Sequence, residues 1–327
     1  MHAAHWAEAH VLLVGDLCDG RSDGRTVSLN QVDRSVDAVR AAGAQGQILF
    51  QGDSGYYSHK VAEKIVARDC LFRLAVPRTA PLWRAVARVH DDDWIDARDY
   101  DRAQVALIDY VPPGWPGGTR VVARRARYDV EQISADARSR RARTVGTVGT
   151  DRLALALGGE VDEVFAYSFF ATNEELDLDE EIAQAEWAFR RRTRIKELFR
   201  DAAHGAGLNH LPSASHAVNC MWMWGALLAN NLSAWLQMLA PLGTARRRIA
   251  AIRRLLIHRA ARRPALTVRA AACLRNSVTR SALGMILTST GAGLHGEPHL
   301  ALSDLSHRRL TCRQFILLFV IRPLRTA

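Results

Sequence analysis

Three short apolar runs separated by helix-length polar stretches constrain this chain more than any other feature of its sequence. HVLLVGD (10–16), QILFQGD (47–53) and CLFRLAVP (70–77) each read as a strand. Between the first two, Val32, Val36 and Val39 recur at helical spacing, with Gly43 placed as a C-cap. Between the second and third, residues 59–68 read as another helix. This strand–helix–strand alternation predicts an α/β layer with partly parallel pairing.

The pattern changes after residue 78. From 79 to 171 the chain carries short β-like runs (QVALIDYV, RVVARRARY, EVFAYSFFAT) separated by turns such as PPGWPGG. A β-rich insertion is expected there. A strongly charged helix follows over 179–203, then the loop LNHLPSASHAVN, then the apolar stretch CMWMWGALLANNLSAWLQML (220–239). That stretch approaches the length of a membrane span, but Asn230, Asn231, Ser233 and Gln237 favour a buried helix, anchored by Trp222, Trp224 and Trp235. ARRRIAAIRRLLIHRAARR (245–263) reads as a basic helix. Beyond it the chain is irregular, and FILLFVI (315–321) shows no partner pattern. The expected divisions are 1–78, 79–171, 172–262 and 263–327.

The net charge of +10 suits a polyanionic partner, either nucleic acid or an acidic membrane face. Nearly all of it is arginine, since Lys60, Lys64 and Lys196 are the only lysines. A GC-rich coding sequence explains the same excess without a function. The five cysteines are scattered, odd in number and without CxxC spacing, which argues against a disulfide framework or a structural zinc site. With no signal-peptide pattern, the reducing cytoplasm is the expected compartment.

Two places carry residues suited to chemistry. Asp53 ends a strand within GDSGYYS, and a carboxylate at such an edge can hold a divalent metal through hard oxygen ligands. The plainer reading is a turn-forming Asp before Ser-Gly. The second place is FRRRTRIKELFRDAAHG (189–205), where Arg190, Arg191, Arg192, Arg194 and Arg200 spread around a helix and could track a DNA backbone. Its plainer reading is a solvated charged helix.

The segment RRRTRIKELFRDAAHGAGLNHLPSASHAVNCMWMWGALLANNLSAWL resembles the C-terminal catalytic region of bacterial insertion-sequence transposases of the DDE type, in the group of insertion sequences thirteen-eighty and four. QGDSGYYS resembles the family's second-aspartate motif. The resemblance spans roughly residues 2–262. It implies a ribonuclease-H-like mixed sheet flanked by helices, with a β-rich insertion between the second Asp and the third acidic position. It implies two Mg²⁺ ions held by three carboxylates, DNA cleavage and strand transfer at element ends, no membrane, and an oligomer as a possible state.

The departures from the family matter equally. The family's signature of aromatic, Arg, Glu and Lys falls on Phe189, Arg192, Lys196 and Ala203. A cation thus stands where the third acid belongs. Glu197 is adjacent, but one helical step turns a side chain by about 100°. The strand bearing the family's first Asp is expected upstream of Met1, and Asp16 does not replace it. The family's ending is not recognisable beyond Arg262, and an out-of-frame tail fits that loss. The resemblance therefore leaves Asp53 as catalytic residue and metal ligand, Glu197 as the nearest acid, and two outcomes: a transposase fragment defective in cleavage, or a basic DNA-binding relic.

Overall fold

The computed structural model describes residues 1–19, 22–129, 159–160, 163–239, 247–254 and 317–323. The chain is a mixed α/β protein that divides into two compact units. The first comprises 1–21, 33–45 and 196–316, and the second 22–32, 46–195 and 317–327.

In the second unit, six strands form a mixed sheet in the order β3-β4-β8-β7-β6-β5. They are β3 (Ile48–Gly52), β4 (Leu71–Ala75), β5 (Ile95–Asp96), β6 (Ala103–Ile108), β7 (Arg120–Asp129) and β8 (Glu163–Thr172). β3 and β4 are parallel, as the alternation predicts, joined by helix α2 (His59–Val66). Val61, Ala62 and Ile65 form the buried face of α2, at the i, i+1, i+4 spacing of an amphipathic helix. The remaining pairs are antiparallel, and β8 pairs directly with β4. The β-rich region therefore continues the sheet; its residues 130–158 and 161–162 lie outside the described part. Helix α3 (Ala80–Val86) precedes it, with Pro81 in the first turn. On the other side of β3 runs a strand from the apolar C-terminal segment, β9 (Leu317–Pro323), antiparallel to it.

Helix α4 (Asp179–Arg190) covers one face of this sheet. Ile182, Ala185 and Phe189 pack on Val105, Val122, Ala126 and Phe170, and the Phe170 and Phe189 rings lie 4.5 Å apart. Asp179, Glu180 and Glu181 occupy its first turn, where carboxylates complement the positive end of the helix dipole. The charged helix expected over 179–203 is interrupted. Arg191–Arg194 form a 3-10 turn before helix α5 (Ile195–Gly205) begins. The Arg192 guanidinium turns back to donate to the Phe189 carbonyl (3.0 Å) in the last turn of α4.

In the first unit, β1 (His2–Trp6) and β2 (Val11–Asp16) form an antiparallel pair. Helix α1 (Gly24–Ala41) contributes residues to both units. Helix α6 (His216–Leu239) packs on β2 through Met223 and Leu227. Gly15 allows that approach, because a Cβ there would lie 2.5 Å from Leu227 Cδ1. Asn231 accepts from Leu12 N–H and donates to Leu12 C=O, both at 2.8 Å, closing the outer edge of β2. Asn231→Ala is expected to destabilise the chain by about 1–3 kcal/mol, since both Leu12 groups lose their partner. Urea unfolding measures this, and an unchanged midpoint would show that water replaces the amide at no cost.

Only one side of α6 meets β2. Trp222 and Trp224, expected as buried anchors, lie on the outward side at 43% and 40% exposure, and Trp235 is half-buried. The helix is apolar around most of its circumference, so composition could not say which side faces the core. Among the described residues no helix is long and apolar enough to cross a membrane. A short helix α7 (Ile249–Ile252) falls within the predicted basic helix, whose remainder after residue 254 lies outside the described residues.

Candidate functional site

Asp53 follows the last residue of β3 and caps a 3-10 turn, Ser54–Tyr56. Its Oδ1 accepts from Gly55 N–H at 2.9 Å. The turn-forming role is therefore real, and it fixes the carboxylate at the C-terminal end of a strand that runs parallel to its neighbour. Gly52 admits the turn: a Cβ there would meet Leu74 Cδ2 at 2.8 Å and Tyr56 Cβ at 3.2 Å.

Arg192 is a charged group that interacts with this carboxylate within the second unit. Burial pushes the Arg192 guanidinium down to about 10, and Asp53 opposes that shift most strongly. Nearby Arg124 lowers it further, whereas Glu186 raises it. Arg192 remains a cation at neutral pH. Its Cζ stands 3.8 Å from the centre of the Phe189 ring.

Beneath Arg192 lies an ion cluster that sequence reading missed. Glu186 is 3% exposed, accepts from Arg124 at 2.8 Å and pairs with Arg190 at 3.2 Å. The i, i+4 spacing of Glu186 and Arg190 was visible in the sequence. Arg124 was not, because it sits on β7, 62 residues earlier.

The five arginines proposed for DNA have separate fates. Arg190 donates to the Arg98 carbonyl and to Glu186, and lies over the Tyr100 ring. Arg191 stacks on Trp187 with Cζ 4.2 Å from the ring centre. Arg192 faces Asp53 electrostatically. The side chain of Arg194 is outside the described residues. Arg200 is exposed on α5, as are Lys196 and Glu197, opposite the buried Leu198 and Phe199. Arg191 and Arg200 make no ion pair among the described residues.

Asp53 and Arg192 belong to the second unit, and Lys196, Glu197 and Arg200 to the first. The groups around Asp53 within its own unit do not fit a pair of Mg²⁺ ions. Asp53 acts on the Arg192 guanidinium, and the other acid acting on that guanidinium, Glu186, is bound to Arg124 and Arg190. Among the described residues no three His, Cys, Asp or Glu side chains converge to hold a metal.

Other motif residues have structural work. Both Asp201 carboxylate oxygens accept from Ile249 N–H, at 3.0 and 3.1 Å. Asn219 accepts from Ser213 N–H at 3.1 Å and donates to Ser213 C=O at 2.8 Å, fixing the loop before α6. Trp222 Nε1 donates to the Gly207 carbonyl. Substituting Asn219 by Leu is expected to raise proteolysis of the 206–215 loop several-fold without shifting the main unfolding transition by more than about 1–2 kcal/mol. An unchanged cleavage pattern would remove that role. The chain matches no protein-family model and no curated protein.

Proposed function

We propose that this chain is a transposase-derived DNA-binding protein, with a ribonuclease-H-like core, that does not complete DNA cleavage. The observation that carries this is the exposed cation Lys196 at the position where the resemblance places the third acid. Support for the ancestry comes from the parallel β3–β4 pair with Asp53 at its end and from the helix α4 returning over the sheet. Lys196 stands exposed where the resemblance places the third acid, supplying positive charge where a metal would need an anionic ligand. DNA as partner places the chain in the bacterial cytoplasm.

Binding falls to arginines that make no ion pair among the described residues, Arg191 and Arg200 first. Affinity for duplex DNA is expected to drop on the order of a hundredfold between 50 and 200 mM salt, because each neutralised phosphate releases condensed counterions. Replacing both arginines by alanine is expected to reduce the salt slope by about two. Fluorescence anisotropy measures both. Incubation of the same protein with duplex DNA and Mg²⁺ or Mn²⁺ is expected to give no nicked product. Metal-dependent cleavage that disappears in Asp53→Ala would overturn the reading, as would salt-independent binding.

A further inference from the structure

The outward side of α6 is the largest feature the proposed DNA role leaves unused. Val218, Met221, Gly225, Leu228, Leu232 and Leu239 follow one another at spacings of three and four residues, with half-buried Trp235 at the one skipped step. This is the a/d repeat of a helix seam, and it points away from Met223 and Leu227, which face β2. A helix that is apolar on both sides is normally buried on both sides. Here Val218, Met221, Leu228, Leu232 and Leu239 of that seam are 38–74% exposed, and Trp224 beside them is 40% exposed. Together they present on the order of 500 Å², the larger part of the ~800 Å² each partner contributes to a standard stable interface.

We propose that this face is the interface between two copies of the chain, packed α6 against α6. Two observations select a second copy as occupant. First, α6 contains no Asp, Glu, Lys or Arg over its 24 residues, so a self-complementary contact meets no like-charge repulsion despite the net charge of +10. The same neutrality gives a polyanion nothing to hold. Second, the face is already shaped for a helix. A groove of about 500 Å³ lies along its first half, lined by Pro212, Val218, Met221, Trp222 and Gly225. A Cβ built on Gly225 would meet nothing within 4 Å. Setting the two helices antiparallel about a two-fold axis beside Leu228 brings the second copy's Leu232 opposite Gly225. It also brings the second copy's Leu239 opposite Val218. The empty position on each helix thereby receives a leucine from the other, as knobs enter holes in helix packing. A parallel arrangement would set Gly225 against Gly225 and leave both holes empty.

Light scattering on the full chain at tens of micromolar is expected to give the mass of a dimer. The double variant Leu228→Glu with Leu232→Glu is expected to weaken dimerisation by on the order of a hundredfold or more, with the far-UV circular dichroism of the parent. Should that variant misfold, Leu228→Cys in a Cys220→Ser background decides instead. Mild oxidation is expected to link two chains through residue 228, identified as the 228–228 peptide by mass spectrometry. A monomeric parent chain overturns the proposal, including one that floats with phosphatidylcholine vesicles and so uses this face on lipid. A dimer that survives both glutamates, or that forms no 228–228 link, overturns it as well.

Discussion

Glu186→Ala is expected to destabilise the protein by about 3–5 kcal/mol, the cost of removing one side of a buried ion pair. That is a large share of the stability of an ordinary domain. Glu186 is nearly inaccessible and serves two guanidiniums, Arg124 on β7 and Arg190 on its own helix. Alanine leaves both cations facing each other under α4. Arg124 has little to fall back on, because its Nε is buried without a hydrogen-bond partner among the described residues. It also withdraws one of the two carboxylates that oppose the lowering of Arg192. Glu186→Gln keeps the shape and an acceptor oxygen, so its cost is expected to be smaller. Urea midpoints at constant slope test the ranking. A Glu186→Ala protein as stable as the parent would show that Arg124 and Arg190 reach water without it.

The parts of the fold legible in the sequence were those with local causes. β2, β3 and β4 follow from apolar runs of strand length, and α2 from its spacing of Val61, Ala62 and Ile65. The parallel pairing of β3 with β4 followed from the helix between them. β1 was missed. HAAHW has two histidines and two alanines, which look like no strand, yet all four of those residues are buried. The break at Arg191–Arg194 was also missed, since a run of arginines is helix-forming by propensity and nothing in its spacing marks a 3-10 turn.

The candidate site was legible to the extent that its residues signal locally. Asp53 stood out because it ends a strand before a Ser-Gly turn, and the structure places it in that turn. Its neighbour Arg192 lies 139 positions further along the sequence, and no spacing rule links them. The arginines were read as one basic surface. The structure distributes them instead, with Arg190 bound into a buried cluster, Arg191 laid on a tryptophan and Arg200 in solvent. Sequence gives charge; only the fold says which charges are already neutralised.

The same lesson holds for Arg73, which stands out in the strand LFRLA as a charge among apolar residues. It is 6% exposed and flanked by Gln51 of β3 and Thr172 of β8. Its answer lies 101 residues away: Glu174 accepts from both Nε and Nη2, the latter at 2.6 Å, and Thr172 Oγ1 donates to the same carboxylate at 2.9 Å. This two-pronged pair joins β4 to the turn after β8. Glu174→Ala is expected to cost about 3–5 kcal/mol, because a guanidinium in the middle of the sheet cannot be rehydrated in place. Its Nη1 is already buried without a partner among the described residues. The decisive comparison is the double variant Arg73→Met with Glu174→Leu. It removes both charges together, so its stability is expected to lie within about 1–2 kcal/mol of the parent, or above it. Thermal or urea unfolding of the single and double variants reads the difference directly. If the double variant is as unstable as Glu174→Ala, then what the pair supplies is the geometry of the β4–β8 junction, and compensation of a buried charge is the wrong account of it.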